Sequence, residues 1–232
     1  MKIIVDKRHI RIFSAIGQYG VMGGLGILFV GLMISFVRPT WIIPMMLSMA
    51  LGFAFSLVGG FFADRYVGPL AHHKALDKAL KGLDHRHLLL HYVLPTSHVL
   101  LEPSGCSIFV VKSQGGRVAY LAEEERWVHE QKGKFFRQFA GQEAIGAPES
   151  DARKQVDKLE QWLAQRLPDV DVPVRGVIVF VNPEVALLAD EVPVPTTHAK
   201  KLKHWLRGPG ECKSLPEDVY QALYEAFEAA GQ

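Results

Sequence analysis

SIFVVKSQGG, residues 107–116, is an apolar run that ends on Lys112 and then turns on two glycines. Ile108 to Val111 are four β-branched or aromatic residues in succession, the composition of a strand covered on both faces. A lysine at the inner end of such a strand is out of keeping with the burial around it. Gly115 and Gly116 supply a turn with positive φ, and no phosphate-cradling motif surrounds them.

Working outward, HVLLEPSGCSIFVVK (98–112) reads as two strands joined by a Pro-Ser-Gly turn. HLLLHYVLP (87–95) precedes them as a strand, and GRVAYL (116–121) follows the glycines as a short one. VRGVIVFVN (174–182) is apolar on both faces, which marks another interior strand. The spacing predicts strands near 87–94, 98–102, 107–112, 116–121 and 175–181. AHHKALDKALKGL (71–83) places Ala75, Leu76, Ala79, Leu80 and Leu83 at helical spacing. SDARKQVDKLEQWLAQRL (150–167) is amphipathic, with Ser150 as N-cap and Val156, Leu159, Leu163 and Leu167 as its stripe. TTHAKKLKHWLR (196–207) and PEDVYQALYEAFEAA (216–230) read as terminal helices. The soluble part is therefore expected to be α/β, a mixed sheet flanked by helices.

Ahead of it lie two uncharged runs, Phe13 to Val37 and Trp41 to Ala63, separated by Arg38, Pro39 and Thr40. At about 1.5 Å per residue each spans a hydrocarbon core of roughly 30 Å. The first is too long for a signal peptide, has no AxA-like cleavage site, and is followed at once by the second. The expectation is a transmembrane hairpin over 13–67, with helices 13–37 and 41–63 and a tail at 1–12. Ser48, Gly52, Ser56 and Gly60 recur every fourth residue in the second helix, and Gly20 and Gly24 match them in the first. Small residues at that spacing let backbones approach where lipid supplies no hydrophobic force. The same faces are also a route to a homo-oligomer.

Lys2, Lys7, Arg8 and Arg11 precede the first span, and Arg65, Lys74, Lys78 and Lys81 follow the second. Only Arg38 lies in the turn, so the positive-inside rule places both termini and the soluble domain in the cytoplasm of a two-pass cell-membrane protein. Cys106 and Cys212 are then reduced, and two cysteines alone do not build a zinc site. Of the net charge of +2, residues 1–69 carry +4 and residues 70–232 carry −2. The basic excess suits an anionic bilayer, while the soluble part has no global field for nucleic acid.

The order of segments over about 68–181 resembles the nuclease-related domain (NERD) family, a branch of the restriction-endonuclease-like fold. SHVLLEPSGCSIFVVKSQGG (97–116), Trp127, APESDARKQVDKLEQWL (147–163) and VIVFVN (177–182) carry the resemblance. It implies a NERD-like domain over 68–182 and a C-terminal helical extension over 183–232. Such nucleases hold a divalent cation with acids on adjacent strands, while a lysine polarises the nucleophile. Residue by residue, Lys112 matches that lysine and His98 the histidine that follows the family's aspartate. The acid positions fall on Val110 and Ser97, an early-helix acid on His72 or His73, and a later glutamine on Asp151.

Valine and serine do not hold Mg²⁺, which takes carboxylate oxygens in octahedral geometry. The resemblance thus implies a degenerate site with Lys112, Val110, Ser97 and His98 as its remnant, and Lys112, His98, Asp151 and Glu102 as binding residues. No metal or cofactor is expected, with Mg²⁺ entering only if Glu102 or Asp151 serves as a displaced acid. Six histidines at 72, 73, 85, 87, 91 and 98 invite a metal site, with His85 and His87 on one strand face, but no acid or cysteine completes the set. Trp127 and Trp162 read as core aromatics. Three functions stay open: a non-catalytic anchored module binding nucleic acid or protein, a nuclease with displaced acids, and a structural subunit of a membrane assembly.

Overall fold

The computed structural model describes residues 1–131, 133, 144–168, 170–189, 192–208, 210 and 213–231. These fall into two compact units, and the helical hairpin is one of them.

In the hairpin, α1 (Lys7–Val37) and α2 (Ile42–Tyr66) are long and apolar enough to cross a membrane. Only 11% of the most apolar stretch of each is buried, which is not how core helices of a soluble protein sit. Both helices extend past the uncharged runs into the charged flanks, because helical hydrogen bonding does not stop where apolarity stops. They run antiparallel and touch through glycine. A Cβ on Gly17 would lie 2.7 Å from the Ala63 nitrogen, and one on Gly20 would lie 2.8 Å from the Gly59 Cα. Gly24 packs on Ser56 and Gly52, and Gly31 on Ser48, so the small-residue face is filled within the chain. Phe13 stacks on Phe62 and Tyr66 at the end where the hairpin opens.

The other unit is α/β, with a mixed six-stranded sheet in the order β1-β2-β3-β4-β7-β9. Its strands are β1 (Lys2–Val5), β2 (Leu88–His91), β3 (His98–Glu102), β4 (Gly105–Lys112), β7 (Val174–Phe180) and β9 (Thr196–His198). β2, β3 and β4 form an antiparallel meander, and β7 joins β4 in parallel. A second sheet, β6-β5-β8, comprises β5 (Gly116–Leu121), β6 (Arg126–Glu130) and β8 (Val185–Leu188). Every residue of β3 and β4 is buried, as the apolar run 108–111 leads one to expect, and His98, Glu102, Ser107 and Lys112 are buried with it. One face packs on α3 (His72–Leu80) and α5 (Ala199–Leu206), where Leu76, Leu80, Leu202 and Leu206 meet Leu100, Phe109 and Val179. The other face packs on α4 (Pro148–Arg166) and α6 (Glu217–Ala230), where Leu159, Leu163, Leu223 and Phe227 meet Leu88, Val99 and Ile108.

Several expectations require correction. Ser150, expected as an N-cap, lies inside α4, which begins at Pro148 with Ala147 at its N-cap. Residues 2–5, assigned to a tail, are the edge strand β1, paired in parallel with β2. The 183–232 region is not wholly helical: β8 pairs with β5, and β9 takes the first three residues of the helix expected at 196–207. Pro195 holds its predecessor extended, and the two threonines continue that conformation onto β7 before α5 begins. RWVHE was assigned to no element and forms β6. Finally, β2 stops at His91 and not near 94, because Tyr92 adopts φ +61 and donates its amide to the Ser97 carbonyl at 2.8 Å.

Candidate functional site

Alternation along the strands decides which residues can meet. Leu100 of β3 and Phe109 and Val111 of β4 face α3 and α5, whereas Val99, Leu101, Ile108 and Val110 face α4 and α6. Lys112 shares the Val110 face and His98 shares the Leu100 face. These two residues therefore stand on opposite sides of the sheet.

At the carboxyl end of β4 the Lys112 side chain is 4% exposed, and its ammonium donates to Asp151 Oδ2 at 3.3 Å. Asp151 lies in the first turn of α4, where a carboxylate suits the helix dipole, and is about half exposed. Glu149 of the same turn accepts from Trp127 Nε1 at 2.8 Å, which ties β6 to α4. Val110 is buried among Ile178, Phe180, Ala152 and Val118. The Asn182 amide donates to the Ser113 carbonyl at 3.1 Å, and His198 Nε2 and His129 Nε2 lie 3.0 and 2.8 Å from the Asn182 and Gly115 carbonyls. Of the two glycines expected at positive φ only Gly116 has it, at φ +80, and a Cβ there would also meet the Glu130 carbonyl, so the turn requires glycine at 116, whereas a Cβ on Gly115 would meet the movable end of the Asn182 side chain. The parallel ends of β4 and β7 are the usual place for a ligand in an open α/β sheet. Here they are packed with hydrogen-bonded side chains.

Across the sheet is a buried histidine cluster. His91 and His98 are register partners on β2 and β3, with Nδ1 atoms 2.8 Å apart. His91 Nε2 lies 3.0 Å from Asp77 Oδ1 on α3. If both rings are neutral and His91 Nε2 donates to Asp77, then His91 Nδ1 accepts from His98 Nδ1. The His72 and His98 rings are 6.2 Å apart, the His73 and His91 rings 6.3 Å, and Tyr92 packs on His98 at 4.8 Å. Burial, reinforced by the neighbouring His91, pulls His73 down to about 4, so it is neutral at pH 7. His85 and His87 do not share a strand face. They precede β2, and His87 Nδ1 sits 2.6 Å from Asp84 in a turn. Among the described residues no group of three or more His, Cys, Asp or Glu is placed to hold a metal ion.

At the far end of β3, Glu102 is buried and accepts from Ser107 Oγ and, at 2.8 Å, from Arg175 Nη2. Arg175 also donates to Ser107 Oγ at 2.7 Å and to the Gly210 carbonyl, and it stacks on Trp205 at 5.0 Å. Cys106 beside it is a free, buried thiol, pushed far above its ordinary value by burial and then by Glu102. Cys212 lies outside the described residues.

The residues singled out from sequence thus divide among three places: Lys112 with Asp151, His98 with the histidine cluster, and Glu102 with Arg175. Ser97 contributes its carbonyl to the β2–β3 turn. Asp77, Ser107 and Arg175 were not anticipated. Their partners lie 14, 5 and 73 residues away, and only the short spacing of Ser107 to Glu102 across a tight hairpin was within reach of sequence reasoning. The chain matches no protein-family model, and neither the curated proteins nor the solved structures give a match.

Proposed function

We propose that this chain is a two-span membrane protein whose α/β unit is nuclease-related in ancestry and holds a partner at the cytoplasmic face without cutting nucleic acid. The observation that carries the reading is the end of β4. Lys112 is buried and neutralised by Asp151, and the position two residues before it is a valine packed among apolar side chains. A metal-dependent site needs carboxylates converging on that lysine, because metal–oxygen bonds run about 2.0–2.6 Å. Glu102, one residue considered as a displaced acid, is engaged by Arg175 and Ser107 at the opposite end of its strand.

The restriction-endonuclease-like assignment draws support from the order α3, β2, β3, β4, α4, β7, a helix, an antiparallel meander, a helix and a parallel strand. That is the mixed sheet flanked by helices which the resemblance implies. The charge of −2 on residues 70–232 favours a protein partner over a nucleic-acid backbone.

The test is cleavage of single- and double-stranded DNA and RNA by the full chain in detergent, with Mg²⁺ and with Mn²⁺. Background activity is expected, unchanged by Lys112→Ala. Metal-dependent cleavage lost in Lys112→Ala overturns the reading and makes Asp151 the first carboxylate to replace. A salt-sensitive complex with an oligonucleotide would move the partner from protein to nucleic acid.

A further inference from the structure

Between β1 and α3 lies an open groove of about 630 Å³. Met1, Ile3 and Leu83 form its apolar wall, and Lys74, Lys78 and Lys81 line it from the other side. A spacing of four puts Lys74 and Lys78 on one face of α3, and Lys81 lies in the turn that follows it. All three are exposed, and none has an acidic partner within 4.0 Å among the described residues. Two further cations close one end: Lys203 Nζ donates to the Lys81 carbonyl at 2.9 Å and Arg207 to the Gly82 carbonyl at 3.3 Å. The one acid of the lining, Asp77, is held 3.0 Å from His91. The groove therefore has a strongly cationic rim beside an apolar floor.

Unpaired lysines lining a groove with an apolar wall fit an amphiphile with an anionic head. The covalent chain supplies such a molecule. One residue separates β1 from α1, and five separate α2 from α3. At about 3.3–3.6 Å per extended residue, five residues reach roughly 20 Å, which ties both walls close to the ends of the spans in any arrangement of the two units. Resting on the membrane-anchored reading above, we propose that this groove is a binding site for the head group of an anionic phospholipid. The phosphate sits against Lys74, Lys78 and Lys81, and the glycerol and first methylenes lie along Ile3 and Leu83. An inner leaflet rich in anionic lipid provides this ligand at high local concentration, and a juxtamembrane lysine contributes about fivefold in affinity to it.

The experiment titrates the detergent-solubilised full chain with dioctanoyl-phosphatidylglycerol, dioctanoyl-phosphatidylcholine and inorganic phosphate, read by ³¹P NMR and native mass spectrometry. Phosphatidylglycerol is expected to bind at least tenfold more tightly than phosphatidylcholine, and its affinity should fall as NaCl rises from about 50 to 500 mM. Lys74→Gln/Lys78→Gln/Lys81→Gln should remove the preference, while Lys200→Gln/Lys201→Gln, on another surface, should keep it. Should the triple variant fail to fold, the single change Lys78→Gln is read instead: about a fivefold loss of phosphatidylglycerol affinity is expected, and an unchanged affinity overturns the proposal. Equal binding of the two lipids, or a preference that survives in a folded triple variant, overturns the proposal. Inorganic phosphate binding as tightly as phosphatidylglycerol would show a free-phosphate site and overturn the lipid assignment. Membrane anchoring is scored separately by resistance to alkaline extraction, so loss of one reading is not mistaken for loss of the other.

Discussion

Arg175 shows how a single residue can hold the α/β unit together. Its guanidinium satisfies the buried Glu102 carboxylate, the Ser107 hydroxyl and the Gly210 carbonyl at once. Arg175→Met keeps much of the aliphatic packing but leaves a carboxylate in the core without its cation. Breaking a buried pair from one side costs about 3–5 kcal/mol. Arg175 is itself partly exposed, so a loss near the lower end is expected in chemical denaturation of the detergent-solubilised chain. A loss below about 1 kcal/mol would mean that water replaces the arginine. His73 makes a second residue-scale prediction. Its folded value of about 4 lies below the ordinary 6.5, so the unfolded chain takes up the proton first on acidification. Stability is complete above about pH 6.5 and falls between pH 6.5 and 4. The groups that face His73 are His91, Asp77, Lys74 and Tyr92, and only Asp77 opposes the trend. A denaturant midpoint that drops from pH 7.5 to pH 5, with a smaller drop in His73→Gln, is the expected pattern. Identical drops in both proteins would assign the effect to other groups.

At the scale of elements, the hairpin separates glycines that matter from glycines that do not. Gly59 meets the backbone of Gly20 and Val21, so Gly59→Leu must force α1 and α2 apart. Gly23 and Gly26 have open space around the missing Cβ, and alanine there favours the helix by up to about 1 kcal/mol. Gly59→Leu should therefore lower the thermal midpoint of the detergent-solubilised chain, and Gly23→Ala should hold or raise it. The reverse ranking would mean that the helices do not pack through this face. The elements that were legible in the sequence share one property: their pattern is local. β4 and β7 announce themselves by unbroken β-branched composition, and α1 and α2 by length without charge. β1 and β9 are four and three residues long, too short for a period to show. Their assignment depends on partners far away in the chain, as when Val5 pairs with His91. The candidate site was legible to the same degree. The isolated Lys112 and the missing acids could be read in order along the chain, but the Asp151 contact crosses 39 residues. The separation of His98 from Lys112 depends on which face each residue takes, and a shift of one position in a strand reverses that.

For the whole molecule, the parallel pairing of β1 with β2 constrains how the chain meets a membrane. β1 precedes α1 and β2 follows α2, yet the two are hydrogen-bonded neighbours, with the Lys2 amide on the His87 carbonyl and the Asp6 amide on the His91 carbonyl, both at 3.0 Å. Strands of one sheet must lie on one side of a bilayer. If the helices between them cross it, they must cross an even number of times, and two antiparallel spans are the smallest such arrangement. This argument makes no use of flanking lysines, is met by two antiparallel crossings, and leaves open which side the sheet faces. It also predicts what happens when parity is broken. Deleting residues 38–66 leaves one span and carries β1 to the side opposite β2. The sheet then loses an edge strand, and the β2 backbone and the apolar face beneath Ile4 become open. Deleting residues 8–66 and closing the gap with a Gly/Ser linker of about 15 residues, roughly 20 Å in r.m.s. reach, returns β1 to the same side. Limited proteolysis is the readout. The one-span chain should be cut within β2 and α6 at protease levels that leave the intact and linker-joined chains whole, because Ile4 packs in the cluster that contains Leu223 and Phe227. Equal resistance of the one-span chain would show that β1 is dispensable to the sheet, and the parity argument for two crossings would fall with it.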